Sequence, residues 1–358
     1  MNSTPWARIR HVDDSTSVVT DFDLVNVDPF GLAELSSQGP FAVTGHGFRV
    51  EDNLAIENVR RRSTMKAAVR FNAPPRLFVL VKNGWLPTAL TSPRTLLLDR
   101  NILRRLRMFA SNRGDPGDNF WVGFLTTGTM AFNPALCAHE GREGHPPTME
   151  QFRSEYQSAA EVIRSSLPRA QLIELTEENL EQLYSNVVAI RETHTAEAHF
   201  LRRVAPLLTE RLPEAQLLAA EDQLFEIAAG TRLPSSSLTL ILAISCLYED
   251  RAGSPPLAAR GILKPTAAYT VADAHNAISD LRAIQFLIMG LSMFGEEIAL
   301  CTSDRSLAAF WCSLAPTPGS WQNHQFTFTA QVSTTLLPAA VYEDRVRIGE
   351  RIAGLLQG

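Results

Sequence analysis

The feature that most constrains this chain is an apolar run that ends in an acid and turns straight into a helix, and it occurs twice. In residues 96–103, Leu-Leu-Leu-Asp-Arg-Asn-Ile-Leu, the leucines meet Asp99, after which Ile102, Leu103, Leu106 and Phe109 recur at helical spacing. The pattern reads as strand, sharp turn, helix. In open α/β sheets ligands collect outside the carboxyl ends of the strands, which makes Asp99 a candidate for chemistry. An Asp there also serves in many folds as a plain helix N-cap. Residues 298–311 repeat the design: Ile-Ala-Leu-Cys-Thr-Ser runs into Asp304, and a helix begins directly after it.

A chain of 358 residues has room for two domains, or for one α/β domain with insertions. The apolar fraction of 45% and charged fraction of 20% are those of an ordinary globular protein. A net charge of −5 gives no overall attraction to nucleic acid or anionic lipid. A nucleic-acid function would need basic patches or bridging cations. Two patches exist, Arg60, Arg61, Arg62 and Lys66, and then Arg100, Arg104, Arg105 and Arg107 beside Asp99.

The four cysteines, Cys137, Cys246, Cys301 and Cys312, sit among apolar residues without a Cys-x-x-Cys spacing, so they read as buried free thiols in a reducing compartment. The first residues, Met-Asn-Ser-Thr-Pro-Trp-Ala, lack the basic-then-apolar form of a signal peptide. The apolar runs 238–248 and 283–294 are short for a bilayer span. A cytoplasmic chain with no membrane partner is expected.

Residues 1–92 alternate in short apolar pieces punctuated by Gly and Pro and predict a small β-rich N-terminal region. An α/β domain begins at 93 and runs to 147; within it Asn133-Pro134 starts a helix that carries Glu140 about two turns in. Residues 148–230 predict an all-helical insertion. Thr148 and Gln151 form a capping box, and Phe152, Tyr156, Ala159, Val162 and Ile163 make an apolar stripe. Leu180, Leu183, Val187 and Ile190 make another, and Leu217, Leu218, Leu224 and Ile227 a third. His194 and His199 flank Glu197 in this block without the His-Glu-x-x-His spacing of a zinc helix. The second part of the α/β domain spans 231–315, with a buried helix over 235–248, and residues 316–358 form a tail with a helix.

Residues 271–293 form the clearest amphipathic helix, with Ile278, Leu281, Ile284, Ile288 and Leu291 as the buried face. Beside that face Asp273, Asn276 and Asp280 share one side, because spacings of three, four and seven return to the same azimuth. Ala277 and Ala283 are small neighbours that leave room for an ion or a phosphate.

Taken in order, these acids resemble the pattern of the PIN-domain nucleases: Asp99 after the first strand, Glu140 in the Asn-Pro helix, Asp280 in Ser-Asp-Leu-Arg-Ala-Ile, and Asp304 in Thr302-Ser303-Asp304. The resemblance covers about 95–145 and 235–315. It departs from the family in the long helical block between Glu140 and Asp280, which leaves Glu143, Glu221 and Glu249 as alternatives for the second acid. The resemblance implies an α/β fold with a PIN-like parallel sheet flanked by helices, and a metal-dependent nuclease acting on RNA in preference to DNA. Ligands that are all oxygen, without His or Cys, point to Mg²⁺ or Mn²⁺. Asp99, Glu140, Asp280 and Asp304 would be the metal ligands and a coordinated water the nucleophile. Asn276, Thr302 and Ser303 are second-rank or substrate-orienting candidates, and Arg100 with Arg104 or Arg105 would meet phosphates.

A haloacid-dehalogenase-type phosphatase would need a second Asp at position 101, where Asn101 stands, and a nucleotide-binding Rossmann turn would need glycines that Asp99-Arg-Asn-Ile lacks. The rival from another class is a PIN-like module without catalysis that binds or regulates. The helical insertion would then serve a protein partner or self-association.

Overall fold

The computed structural model describes residues 7–10, 16–19, 26–37, 39–46, 64–71, 73–91, 94–127, 130–140, 145–233, 237–249, 258–317, 319–322, 325–328, 330 and 332–355. The N-terminal strands β1 (Ala7–Arg10), β2 (Thr16–Val19), β3 (Asn26–Val27), β4 (Phe41–His46) and β5 (Thr64–Arg70) form an antiparallel sheet in the order β2-β1-β5-β4-β3. A short helix, α1 (Leu32–Ser36), joins β3 to β4.

The central sheet has six strands: β6 (Phe78–Val81), β7 (Gly84–Pro87), β8 (Thr95–Leu98), β9 (Ala131–Asn133), β10 (Gln171–Leu172) and β11 (Ile298–Thr302), ordered β10-β9-β8-β11-β6-β7. The four from β10 to β11 run parallel, and the β6-β7 hairpin adds to β11 antiparallel. The class is thus α/β with a mixed sheet. Leu96, Leu98, Ala299, Leu300 and Cys301 are wholly buried, which is why both key strands read as unbroken apolar runs rather than alternating ones.

Helices α2 (Arg100–Ala110) and α3 (Pro116–Thr127) link β8 to β9. Next come α4 (Ala135–Glu140) and α5 (Met149–Ser166), which lead to β10, and then α6 (Glu177–Val204), α7 (Glu214–Gly230), α8 (Leu238–Leu247) and α9 (Ala258–Leu263). Helix α10 (Val271–Phe294) precedes β11, α11 (Arg305–Leu314) follows it, and a hairpin of β12 (Ser320–Gln322) and β13 (Gln325–Thr327) leads to α12 (Tyr342–Leu355).

Two sequence boundaries move. The sequence places the β6-β7 hairpin in the N-terminal region, yet all eight of its residues are buried and it pairs with β11. Continuous burial, not alternation, marks it as part of the main sheet. The expected all-helical block from 148 contains β10, which pairs parallel to β9, so α5 is the crossover of a β-α-β unit. A two-residue strand has too little length to show a period. Of the three apolar stripes, Leu218 is exposed (51%) and falls outside its buried face.

The connection from β8 goes to β9 on one side of it, whereas β11 lies on the other. The strand order therefore reverses between β8 and β11, the place where open sheets form a crevice at their carboxyl edge. Helix α10 crosses behind this edge, packed on α6 and β11. A capping box of Thr270 and Asp273 starts it, and Ile278, Leu281, Ile284, Leu287 and Ile288 are buried along one face. By length and composition alone α10 with its following turn could span a bilayer, but here that apolar face is taken up by the core. The buried Trp311 of α11 donates its ring N–H to the carbonyls of Val81 and Gly84, each at 2.9 Å, and so fixes α11 against the hairpin.

Candidate carboxylate site at the sheet edge

The register sets the site. Leu98 pairs with Cys301, so the residues that follow emerge side by side, and the Asp99 N–H donates to the Cys301 carbonyl at 3.0 Å. Asp99 caps α2: one carboxylate oxygen accepts the Asn101 N–H at 3.2 Å and the other accepts the Thr302 hydroxyl at 2.7 Å. That hydroxyl in turn accepts the Asp304 N–H at 3.0 Å, so a single buried side chain couples the two strand ends. Asp304 caps α11, accepting the N–H groups of Ser306 and Leu307 at 2.7 and 3.0 Å.

These caps satisfy helix ends as any Asp would, but the remaining electrostatics are not those of caps. Burial pushes the Asp99 carboxyl above its ordinary range, against the pull of its hydrogen bonds, and Asp304 adds to the rise. Asp280, from the middle of α10, is pushed well above its ordinary value by burial and then by Asp99, Asp304 and Glu140. Glu140, the last residue of α4, rises to about 7 through burial and the nearby Asp99, with Arg100 opposing. Asp280 thus feels the other three sequence-nominated acids. Neighbouring carboxyls that resist ionisation are a poised arrangement for a cation, which would favour their charged form.

Asp99, Glu140 and Asp280 line one pocket, with Ala283 beside them as expected. Its cavity volume is about 30 Å³, room for an ion or a couple of waters and not for a nucleotide. A polymer would have to be met at the rim. Among the described residues no three Asp, Glu, His or Cys side chains stand close enough to hold one ion between them. The donor set fits a hard cation in chemistry, through carboxylates partly bridged by water.

The alternatives for the second acid separate clearly. Glu221 is buried elsewhere, bonded by Tyr248, Arg347 and Arg351, and Glu249 accepts the first N–H groups of α9. Glu143 lies outside the described residues, as do Arg60, Arg61 and Arg62. Other nominations scatter. Asp273 is spent on its capping box, and Asn276 is exposed beyond the pocket. Ser303 sits on the turn between Thr302 and Asp304. Arg100 stays close to Glu140 while ion-paired to Glu155 at 2.8 Å. Arg104 is exposed on α2, and Arg105 pairs with Asp118.

The pocket also holds basic groups that the sequence does not bring together. His139, His194, His275 and Arg282 line the same pocket. Arg282 is held by Glu197 and by Thr193 (3.0 Å) on α6 and by Gln285 (2.5 Å) on its own helix. Burial lowers His194 to about 4 and His139 to about 3, with Arg282 opposing protonation of both, and it also lowers His275. All three rings are uncharged at neutral pH. His194 has no metal spacing on its own helix; the relevant neighbour, His275, comes from α10, a pairing that no local pattern carries. Comparison of the chain with protein-family models, curated proteins and solved structures gives no match.

Proposed function

We propose that this protein is a metal-dependent nuclease of PIN-like fold that hydrolyses phosphodiester bonds, in RNA by preference, with Asp99, Glu140, Asp280 and Asp304 holding Mg²⁺ or Mn²⁺. The observation that carries the reading is Asp280, which lines the pocket with Asp99 and Glu140 and is pushed well above its ordinary value by burial and by Asp99, Asp304 and Glu140, with Lys264 opposing. A pocket acid perturbed in this way is the kind of group that functional sites contain. The position of the group at the reversal of strand order supports the same reading.

A divalent ion bound there would supply an activated water and neutralise charge on the phosphodiester. The residues of the chain do the rest. Thr302 holds Asp99 in one orientation and ties it to the Asp304 turn. Arg100, near enough to oppose the rise of Glu140, would meet the incoming phosphate. Ala283 keeps the floor clear. The wide spacing of the acids and the caps made by Asp99 and Asp304 favour the second reading, a PIN-like module without catalysis.

The test is cleavage of end-labelled single-stranded RNA and DNA by the purified protein in EDTA, Mg²⁺ or Mn²⁺, with Asp99→Asn alongside. Metal-dependent cleavage of RNA that the variant lacks supports the nuclease. Absence of cleavage under every condition, or equal cleavage by the variant, sinks it.

A further inference from the structure

The three imidazoles form a second chemical class in the pocket beside the acids, and the reading above gives them no task. His194 Nε2, on α6, faces His275 Nδ1, on α10, at 3.2 Å. Two ring nitrogens bound cis to one tetrahedral ion, each about 2.0–2.1 Å from it, stand about 3.3 Å apart. The pair is therefore spaced as two ligands of one metal. The same separation suits an N–H···N hydrogen bond, and three observations weigh against that as the whole purpose.

First, both rings border an open pocket instead of closing a dry core. Second, His275 has outer partners of the kind that orient a metal-binding ring: it donates toward the Glu140 backbone carbonyl, and its Nε2 lies 3.5 Å from Ser279 Oγ. Third, the same pocket holds an unsatisfied buried nitrogen. His139 is 7% exposed, its Nε2 has no partner among the described residues, and a polar occupant of the pocket would supply one.

We propose that His194 and His275 bind a borderline transition-metal ion of the Zn²⁺ class through His194 Nε2 and His275 Nδ1, with water or substrate completing its coordination. Imidazole nitrogen selects such ions over Mg²⁺, so this site differs from the carboxylate site in the cation it takes. Two protein ligands make it an open site with exchangeable positions, not a closed structural one. Helix α6 thereby contributes directly to the pocket. The proposal stands whether or not the acids perform catalysis.

The experiment is calorimetric titration of the metal-free full-length protein with Zn²⁺ at pH 7, comparing wild type, His194→Gln and Asp280→Asn. Histidine ring resonances of the wild type are followed during the same titration. His194 is the position to change because it is only partly buried and Gln keeps a polar side chain there. The expected result is one Zn²⁺ bound by wild type and by Asp280→Asn, loss of that binding in His194→Gln, and movement of two histidine ring signals on binding. Three results would overturn the proposal: no Zn²⁺ binding by wild type, unchanged binding by His194→Gln, or binding lost in Asp280→Asn. Should His194→Gln fail to fold, wild-type ring signals that stay still under Zn²⁺ overturn it equally. A failure here leaves the nuclease test untouched, since that test is read with Mg²⁺ and Asp99→Asn.

Discussion

Replacing Glu140 by Gln should make the metal-free protein more stable at high pH and leave it unchanged at low pH. In the fold this carboxyl holds its proton up to about 7, against an ordinary value of 4.5, because of burial and the adjacent Asp99. The folded state therefore binds more protons than the unfolded chain between these two values. By linkage, the group favours folding fully below pH 4.5 and loses that contribution as pH rises through about 7. At 1.36 kcal/mol per pH unit, the gap between 4.5 and about 7 is worth about 3 kcal/mol, an upper bound because solvent reaches the rim of the pocket. Glutamine resembles the protonated acid and does not titrate. At pH 8 in EDTA the variant should exceed wild type by up to about 3 kcal/mol, a rise in melting temperature on the order of 5 °C for a chain of this size. At pH 4.5 the two should coincide. Asp280 is itself raised by Glu140, so its titration moves in the same stabilising direction when Glu140 is replaced. Thermal denaturation from pH 4.5 to 8 reads the difference directly. A Gln variant that is less stable than wild type at pH 8, or a difference that does not vary with pH, would refute the claim that burial and Asp99 hold this carboxyl protonated.

Removing the Thr302 hydroxyl as Thr302→Val should cost about 1–3 kcal/mol in urea unfolding, since it leaves a buried Asp99 oxygen and the Asp304 N–H without their shared partner. Asp304→Ala should cost about 1 kcal/mol by stripping the cap from α11, whereas Asp304→Asn should retain most of that stability, because an amide oxygen still accepts from Ser306 and Leu307. Equal losses in the two variants would remove the capping explanation. Glu197→Gln should destabilise by about 3–5 kcal/mol at neutral pH, as it leaves the mostly buried Arg282 without its counter-charge between α6 and α10. Unaltered urea midpoints for Glu197→Gln would show that the pair is not what joins these helices.

The parts of this site legible in the sequence are those in which a single local rule operates. Asp99 and Asp304 announce themselves because each terminates a strand buried on both faces and starts a helix, two signals within a few residues. Thr148 and Gln151 likewise form the capping box that their spacing predicts. Glu140 needed the Asn133 cap, whose oxygen accepts the Ala135 N–H at 2.9 Å and so fixes where α4 starts. Helical azimuth was a weaker guide. Asp273, Asn276 and Asp280 share a face of α10, but that helix runs outward past the pocket, and only the residue over the sheet edge meets the other acids.

What sequence could not supply was the meeting of separate helices. Arg282 is two positions from Asp280 in the sequence, yet its partners Glu197 and Thr193 are about three helices away along the chain. The same contact between α6 and α10 brings His194 to His275. The boundary near residue 92 failed for a related reason: aromatic packing of Phe30, Phe41 and Trp85 joins the N-terminal sheet to the β6-β7 hairpin, with Phe30 and Trp85 also exchanging backbone hydrogen bonds at 2.8 and 3.0 Å. One hydrophobic cluster covers both regions, so no composition shift marks a border.

The central claim, that acids from two strand ends and two helices act as one cation site, is tested most directly by titrating Mn²⁺ into the metal-free protein at pH 7.5 and following free Mn²⁺ by electron paramagnetic resonance, for wild type and Asp280→Asn. The account expects saturable binding by wild type that is strongly weakened in the variant, with the variant's fold intact by circular dichroism. Absence of wild-type binding, or binding that Asp280→Asn leaves unchanged, would contradict it.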